Sequence, residues 1–217
     1  MKIKHLKTLI FVFIAVFVVC VLFSVTKKNN PAGRHMPSRD NTLLHEQDTY
    51  ISKSLAYARK KGFDTTFSIL INYGMHSGKR RAFLVNPAKR KVLDSFLVSH
   101  GCGSNPWGSD LSKITPGFSN LAESHCSSLG RYKIGKRAYS DWGINIKYYL
   151  YGLDTSNSNA YKRTIVLHGW DQVGDTETYP SGTPEGWGCP AVSEHAMHVI
   201  DSFLQTRKEP VLMWVYH

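Results

Sequence analysis

Residues 9–25, LIFVFIAVFVVCVLFSV, form an uncharged and almost wholly apolar run. Such a run is ill suited to a water-facing surface, and it separates a short basic N-terminus from the rest of the chain. Lys2, Lys4 and Lys7 stand before it, and Lys27 and Lys28 after it. At about 1.5 Å per helical residue it reaches roughly 25 Å, enough for a thin bilayer. A cleaved signal peptide shares the charged start and apolar middle but ends in small residues at the cut. Leu22-Phe23-Ser24-Val25 offers no Ala-x-Ala pattern. The run is therefore read as an uncleaved membrane anchor, with a cleaved leader as the alternative. Lipid attachment through Cys20 fits worse, because Val18-Val19 precede it instead of a small residue. On either reading the rest of the chain lies outside the cytoplasm. The expected organisation is a basic cytoplasmic N-terminus over 1–8, the anchor over 9–25, a linker and bracing helix over 26–64, and a folded domain over 65–217.

Charge narrows the partners. Five of the +11 net charges belong to lysines in the first 28 residues, which hold no acidic residue, so the remainder carries +6. The densest basic clusters are Arg59-Lys60-Lys61, Lys79-Arg80-Arg81 and Lys89-Arg90-Lys91. Each falls at an expected helix end or turn, as solvated charge does. A nucleic-acid surface would interleave such residues with aromatics, and an anchored domain outside the cytoplasm meets no nucleic acid. An anionic envelope polymer is the better partner.

Past the Pro- and Gly-bearing stretch 29–41, TLLHEQDTYISKSLAYARKKG has helical spacing, with Leu44, Ile51, Leu55 and Ala58 near one face and Gly62 as a stop. It can pack on the domain as a brace. Strand patterns then dominate. TTFSILINYG is one; RAFLVN and KVLDSFLVSH flank the turn Pro87-Ala88-Lys89-Arg90 as a hairpin. Residues 100–130 are irregular. RYKIGKRAY, WGINIKYYLYGL and KRTIVLHG resume strand character, the last ending at His168. A long polar loop over 169–188 comes next, and long loops in compact domains tend to carry function. SEHAMHVIDSFLQT reads as a helix with Ser193 as its N-cap, and PVLMWVY closes the chain as a strand. The expected class is mainly β, with one or two helices.

Two cysteine stretches compete for chemistry. Ser99-His100-Gly101-Cys102 looks like a nucleophile site, but no helix succeeds it and no strand-end histidine precedes it at a suitable distance. Cys189 lies four residues before the helix cap Ser193, so unpaired helix N–H groups stand close by and can favour a thiolate. His168 ends a strand just before the loop that returns to Cys189. A Cys–His acyl-transfer site needs this pairing: the imidazole takes the thiol proton and later hands it to the leaving amine. Backbone amides of Trp187 and Gly188 could hold the developing oxyanion. Spacing alone leaves a buried structural cysteine as the other reading. Papain-like enzymes place Cys before His in the chain, the reverse of the order here. His100, Cys102, His125 and Cys126 lack the tight spacing of zinc sites, so no metal and no cofactor is expected. A Cys102–Cys126 disulfide is the more natural reading in an oxidising envelope.

His168-Gly169, a loop, and Gly188-Cys189-Pro190-Ala191-Val192 leading into a helix resemble the L,D-transpeptidases of bacterial cell walls, in their YkuD-type murein branch. His100-Gly101, Phe118-Ser119-Asn120, Ser127-Ser128-Leu129-Gly130 with Tyr132, Gly152-Leu153-Asp154, and Asn159-Ala160 before Arg163 fit the same branch. The resemblance runs from about Phe67 to Tyr216. The family pattern of His, spacer and Ser/Thr-His-Gly-Cys is met here by Gly186-Trp187-Gly188-Cys189, without the Ser/Thr and the second His. Whatever orients the catalytic histidine must come from elsewhere, a backbone carbonyl being one option. The resemblance implies a β-sandwich or barrel-like catalytic fold over 65–217. It implies acyl transfer on tetrapeptide stems of peptidoglycan, with Cys189 as nucleophile and His168 as base. It suggests Asn120, Ser127, Ser128, Tyr132, Arg163 and His100 as substrate-binding residues. Water as acceptor would make the enzyme an L,D-carboxypeptidase, and loss of activity would leave a wall-binding module.

Overall fold

The computed structural model describes residues 39–217. The expected basic N-terminus, anchor and first part of the linker lie outside the described residues. Among the described residues no helix is long and apolar enough to cross a membrane.

Eight strands make one sheet: β1 (Ser68–Asn72), β2 (Ala82–Asn86), β3 (Lys91–Phe96), β4 (Gly130–Tyr139), β5 (Ile146–Gly152), β6 (Val166–Gly169), β7 (Ala191–Val192) and β8 (Val211–Tyr216). Their order is β3-β2-β1-β8-β4-β5-β6-β7. Neighbours run antiparallel except β1 with β8 and β6 with β7. Helices α1 (Arg39–Lys61) and α2 (Glu194–Gln205) complete a mainly-β, near-barrel architecture.

Alternation along the central strands builds two cores. Ile69 and Ile71 of β1 join Met213 and Val215 of β8 in the main core, where Ala196, Met197, Ile200 and Leu204 of α2 pack. Leu70 of β1 and Tyr216 of β8 face the other way and meet Ile51 of α1. Burying each large apolar side chain is worth about 1.5–3 kcal/mol, which is why SILIN, buried at all five positions, sits mid-sheet. Ile51 and Ala58 of α1 are buried. Leu44 departs from the expected face and is 63% exposed, on the stretch of α1 that runs on before Ile51.

The loop over 170–190 is the crossover between the parallel strands β6 and β7. It is short of regular structure, and it leads through β7 directly into α2. Ser193 caps that helix, its Oγ accepting from Ala196 N at 3.0 Å. The parallel register sets His168 opposite Ala191 and Gly169 opposite Val192. Cys189, two residues before Ala191, thereby comes level with Val166, whose backbone N–H donates to its Sγ at 3.4 Å. This edge of the sheet brings the histidine and the second cysteine into one cleft.

Candidate active site

The cleft is lined by Ser99, Trp107, Trp142, His168, Trp170, Gly186, Trp187, Cys189 and Ala191. His168 Nδ1 lies 2.8 Å from its own neighbour's carbonyl, Gly169 O. A carbonyl only accepts, so Nδ1 carries the proton and Nε2 is left as the acceptor. The orienting group that the sequence lacks is thus supplied by the main chain. Burial pushes the imidazole's pKa below its ordinary value, the Lys147 charge adds to this, and the Gly169 carbonyl opposes it.

Cys189 is half-buried, and burial pushes its thiol up. The Val166 N–H and the positive charges of Arg163 and Lys147 pull the other way and fall short. The pair therefore rests as neutral thiol and neutral imidazole. The first turn of α2 is capped by Ser193, which also bonds Asp175, and the backbone donor at the sulfur belongs to β6. The N–H groups of Trp187, Gly188 and Cys189 donate to no acceptor among the described residues, which leaves three consecutive donors open in the segment that ends at Cys189.

Gly188 cannot be any other residue without movement. Its φ is +99°, and a Cβ there would stand 2.5 Å from Cys126 O. Its carbonyl accepts from Ser127 Oγ at 3.2 Å, and that same Oγ accepts from Gly101 N at 3.1 Å. Ser127 is a rivet between two turns.

The remaining residues suggested for substrate binding build the site's walls. Tyr132 is buried and donates to Ser128 O at 2.7 Å. Ser128, also buried, donates to Ser119 O and accepts from Arg163. Arg163 spends its guanidinium on Ser119 O, Ser128 Oγ, Ser124 Oγ and Cys126 O. Asn120 bonds Thr155 O, Ser158 Oγ and the Asn159 backbone. These hydrogen bonds clamp the 118–128 loop behind Gly188.

His100 is corrected more sharply. It is wholly buried, and both ring nitrogens are taken: Arg81 Nη2 donates to Nδ1 at 2.8 Å, and Nε2 meets Ser112 Oγ at 3.0 Å. The chain of bonds continues to the buried Glu185, whose Oε1 accepts from Ser112 Oγ at 2.8 Å. A histidine so engaged neither lines the cleft nor ligates a metal. Cys102 is buried, and Cys102 and Cys126 are free thiols, not the disulfide expected.

Sequence reasoning missed the indoles. Trp107, Trp142, Trp170 and Trp187 form one cluster, with ring centroids 5.2–6.4 Å apart along its contacts. They share a sequence signal. Each adjoins a glycine in a loop or strand end, whereas Trp214 lies inside β8. Gly143 shows why: a Cβ there would stand 2.7 Å from the Gly169 carbonyl, so only glycine lets the Trp142 turn close on the histidine strand.

Over residues 40–216 the chain matches the family model described as L,D-transpeptidase catalytic domain. That is most of its length, and the chain belongs to this family, whose cell-wall enzymes act on peptidoglycan stem peptides. Among solved structures it is similar to an L,D-transpeptidase from Xylanimonas cellulosilytica. There the identity is 13%, the TM-score is 0.41, and coverage is 74% of this chain and 68% of that one. It is also similar to the helical cell shape determining protein Pgp2 from Campylobacter jejuni, at 13% identity and a TM-score of 0.43. That likeness covers 79% of this chain and 55% of Pgp2, so this chain spans little more than half of that protein. Curated proteins contain no match.

Proposed function

We propose that this protein is a peptidoglycan L,D-transpeptidase that works through a thioester on Cys189. His168 Nε2 takes the thiol proton as Sγ attacks the carbonyl carbon on the L-centre of meso-diaminopimelate in a tetrapeptide stem. Trp187, Gly188 and Cys189 N–H groups stabilise the oxyanion. The C–N bond to D-Ala breaks, and the leaving amine takes the proton from His168. An acceptor amine on a second stem then attacks the thioester, gives its proton to His168, and releases the thiol with a cross-link formed. The observation that carries this reading is the pinned tautomer. With Nδ1 bound to Gly169 O, His168 keeps Nε2 as a base in the cleft that Cys189 also lines. The N-terminal run would hold this domain at the outer face of the inner membrane, in the periplasm, or a cleaved leader would release it.

Incubation of the purified chain with disaccharide-tetrapeptide muropeptides, followed by mass spectrometry, tests the reading. Cross-linked dimers and free D-Ala are expected from the wild type and from Cys102→Ala. Neither is expected from Cys189→Ala or His168→Ala. Free D-Ala without dimers makes the protein an L,D-carboxypeptidase. Turnover lost in Cys102→Ala and kept in Cys189→Ala overturns the assignment, and binding without turnover in the wild type indicates a wall-binding module.

A further inference from the structure

The cleft lining holds four indoles, small residues, a neutral thiol and a neutral imidazole, and no charged side chain. A stem peptide carries carboxylates on both the residue attacked and the residue released. The positive charges of Arg163 and Lys147 pull the Cys189 thiol down against its burial. Arg163 is spent on four acceptors of the 119–128 loop. Lys147 is not.

Lys147 sits in β5 directly opposite His168 in β6. Side chains directly opposite on antiparallel strands share a face and lie within reach of each other. The next pair on that face is Tyr149 opposite Val166, the residue whose N–H touches the sulfur. Lys147 is half-buried, with its Nζ 5.8 Å from the centroid of the Tyr149 ring. Its ammonium forms neither an ion pair nor a hydrogen bond with any described residue. A cation held on the histidine's face with all three donors open is a receptor for an anion.

We propose that Lys147 binds a carboxylate of the acyl donor beside the thiol. This rests on the transpeptidase reading above for the identity of the donor, and on the register of β5 and β6 for the place. The carboxylate belongs either to the C-terminus of the residue released or to the side chain of the residue attacked. In both cases it orients the carbonyl over Sγ, so Lys147 is a binding residue that sets specificity for acidic stems.

Alkylation of the full-length protein tests the cation without any muropeptide. Iodoacetate and iodoacetamide form the same Sγ–CH2 bond and release the same iodide, and they differ only in charge. The ratio of their rates at Cys189, read by mass spectrometry of the modified peptide, cancels any change in thiolate fraction. The iodoacetate-to-iodoacetamide ratio should fall several-fold in Lys147→Gln, stay near wild type in Lys147→Arg, and shrink in the wild type at high salt. A ratio unchanged in Lys147→Gln overturns the proposal.

Kinetics then locate the carboxylate. Lys147→Gln should raise KM for the free-acid tetrapeptide by roughly 10- to 100-fold, the worth of one charge-assisted hydrogen bond, with kcat less affected. If the penalty vanishes with a C-terminally amidated stem, the partner is the carboxylate released. If it vanishes when the diaminopimelate carboxylate is amidated, the partner is the residue attacked. A KM indifferent to Lys147→Gln with every stem overturns the proposal. A wild type that turns over no stem overturns the transpeptidase reading instead, and the alkylation ratio still decides whether Lys147 receives anions.

Discussion

Ser99-His100-Gly101-Cys102 and Gly186-Trp187-Gly188-Cys189 lie side by side. Gly101 bridges Gly186 in parallel, Cys102 N–H donates to Gly186 O at 2.7 Å, and Gly186 N–H donates to His100 O at 2.8 Å. The two stretches share a neighbourhood and differ in what is left open. The first has its histidine sealed between Arg81 and Ser112 and its cysteine 4% exposed. The second has its cysteine half-buried at the cleft, the amides of Trp187, Gly188 and Cys189 without an acceptor among the described residues, and a histidine from β6 with one nitrogen committed and one free. Burial lowers the pKa of both histidines, His100 to about 3. Low basicity alone therefore does not mark a catalytic base. What separates them is the free nitrogen of His168 in the cleft that Cys189 also lines, and the first stretch instead serves as the template against which the second is aligned.

The largest test of that contrast compares the two cysteines. Cys189→Ala should lower kcat at least ~1,000-fold, as loss of a covalent nucleophile does. Cys102→Ala should stay within a few-fold of wild type and cost stability of about 1–3 kcal/mol through the small cavity it leaves. Rates from product analysis and urea midpoints check both. Comparable losses of kcat in the two variants would erase the distinction.

Gly188→Ala sharpens it next. The methyl would press on Cys126 O from a backbone conformation at φ +99° that L-residues rarely adopt. The turn must shift, and with it the amides beside Cys189. A fall in kcat of about 100-fold is expected, in the range lost with one oxyanion donor. Gly186→Ala, at a site where a Cβ would meet nothing closer than 3.9 Å, should leave most of the rate.

Much of this is legible in the chain. The short apolar runs in SILIN and VLMWVY give the central strands, the turn at Pro87–Arg90 gives the hairpin, and Ser193 gives the start of α2. His168 before a loop and Cys189 before a helix point to the pair in the cleft. What stays hidden depends on tertiary partners. Tyr132, Ser127 and Arg163 carry the letters of ligand-binding residues, yet their polar atoms are consumed by backbone groups elsewhere in the chain, which no local pattern reports. Lys147 is invisible for the converse reason. Nothing in IKYYLYG distinguishes it until the register sets it opposite His168. The Gly–Trp pairs are written in the sequence, but only the folded chain shows that they converge on one cleft.

The sealed histidine gives a pH test of moderate size. His100 is neutral in the native state down to about pH 3, first through burial and then through Arg81, while an unfolded histidine titrates near 6.5. Between those values the unfolded chain binds a proton that the native chain refuses. Stability is thus full above pH 6.5 and is lost as the pH falls toward 3, by up to ~1.4 kcal/mol per pH unit. His168, also lowered, adds in the same direction. His100→Gln keeps one donor and one acceptor for Ser112 and Arg81 and removes the titration. Urea unfolding at about pH 7 and about pH 5, either side of the ordinary histidine value, should show a shallower loss in His100→Gln than in wild type. Equal slopes would mean that His100 is not the sealed, neutral group its contacts describe.

The smallest expected effect separates the two kinds of tryptophan in the cleft. Trp187 is 61% exposed and rests on His125 at 5.6 Å, while Trp170 is 3% exposed. Trp187→Ala removes a wall without opening the core, so its stability should stay within about 0.5 kcal/mol of wild type. Its KM for the stem should rise a few-fold, the effect of about 1 kcal/mol of lost apolar contact. Trp170→Ala deletes a buried indole from the cluster with Leu97, Val173 and Ala191 and should cost ~3–5 kcal/mol. Because Ala191 is paired in register with His168, that cavity reaches the edge where the proposed base sits, and kcat should fall along with stability. If Trp187→Ala lowers kcat and leaves KM alone, the exposed indole holds the turn of Cys189 in place, and the second cysteine stretch would depend on its own side chains as the first does on Arg81 and Glu185.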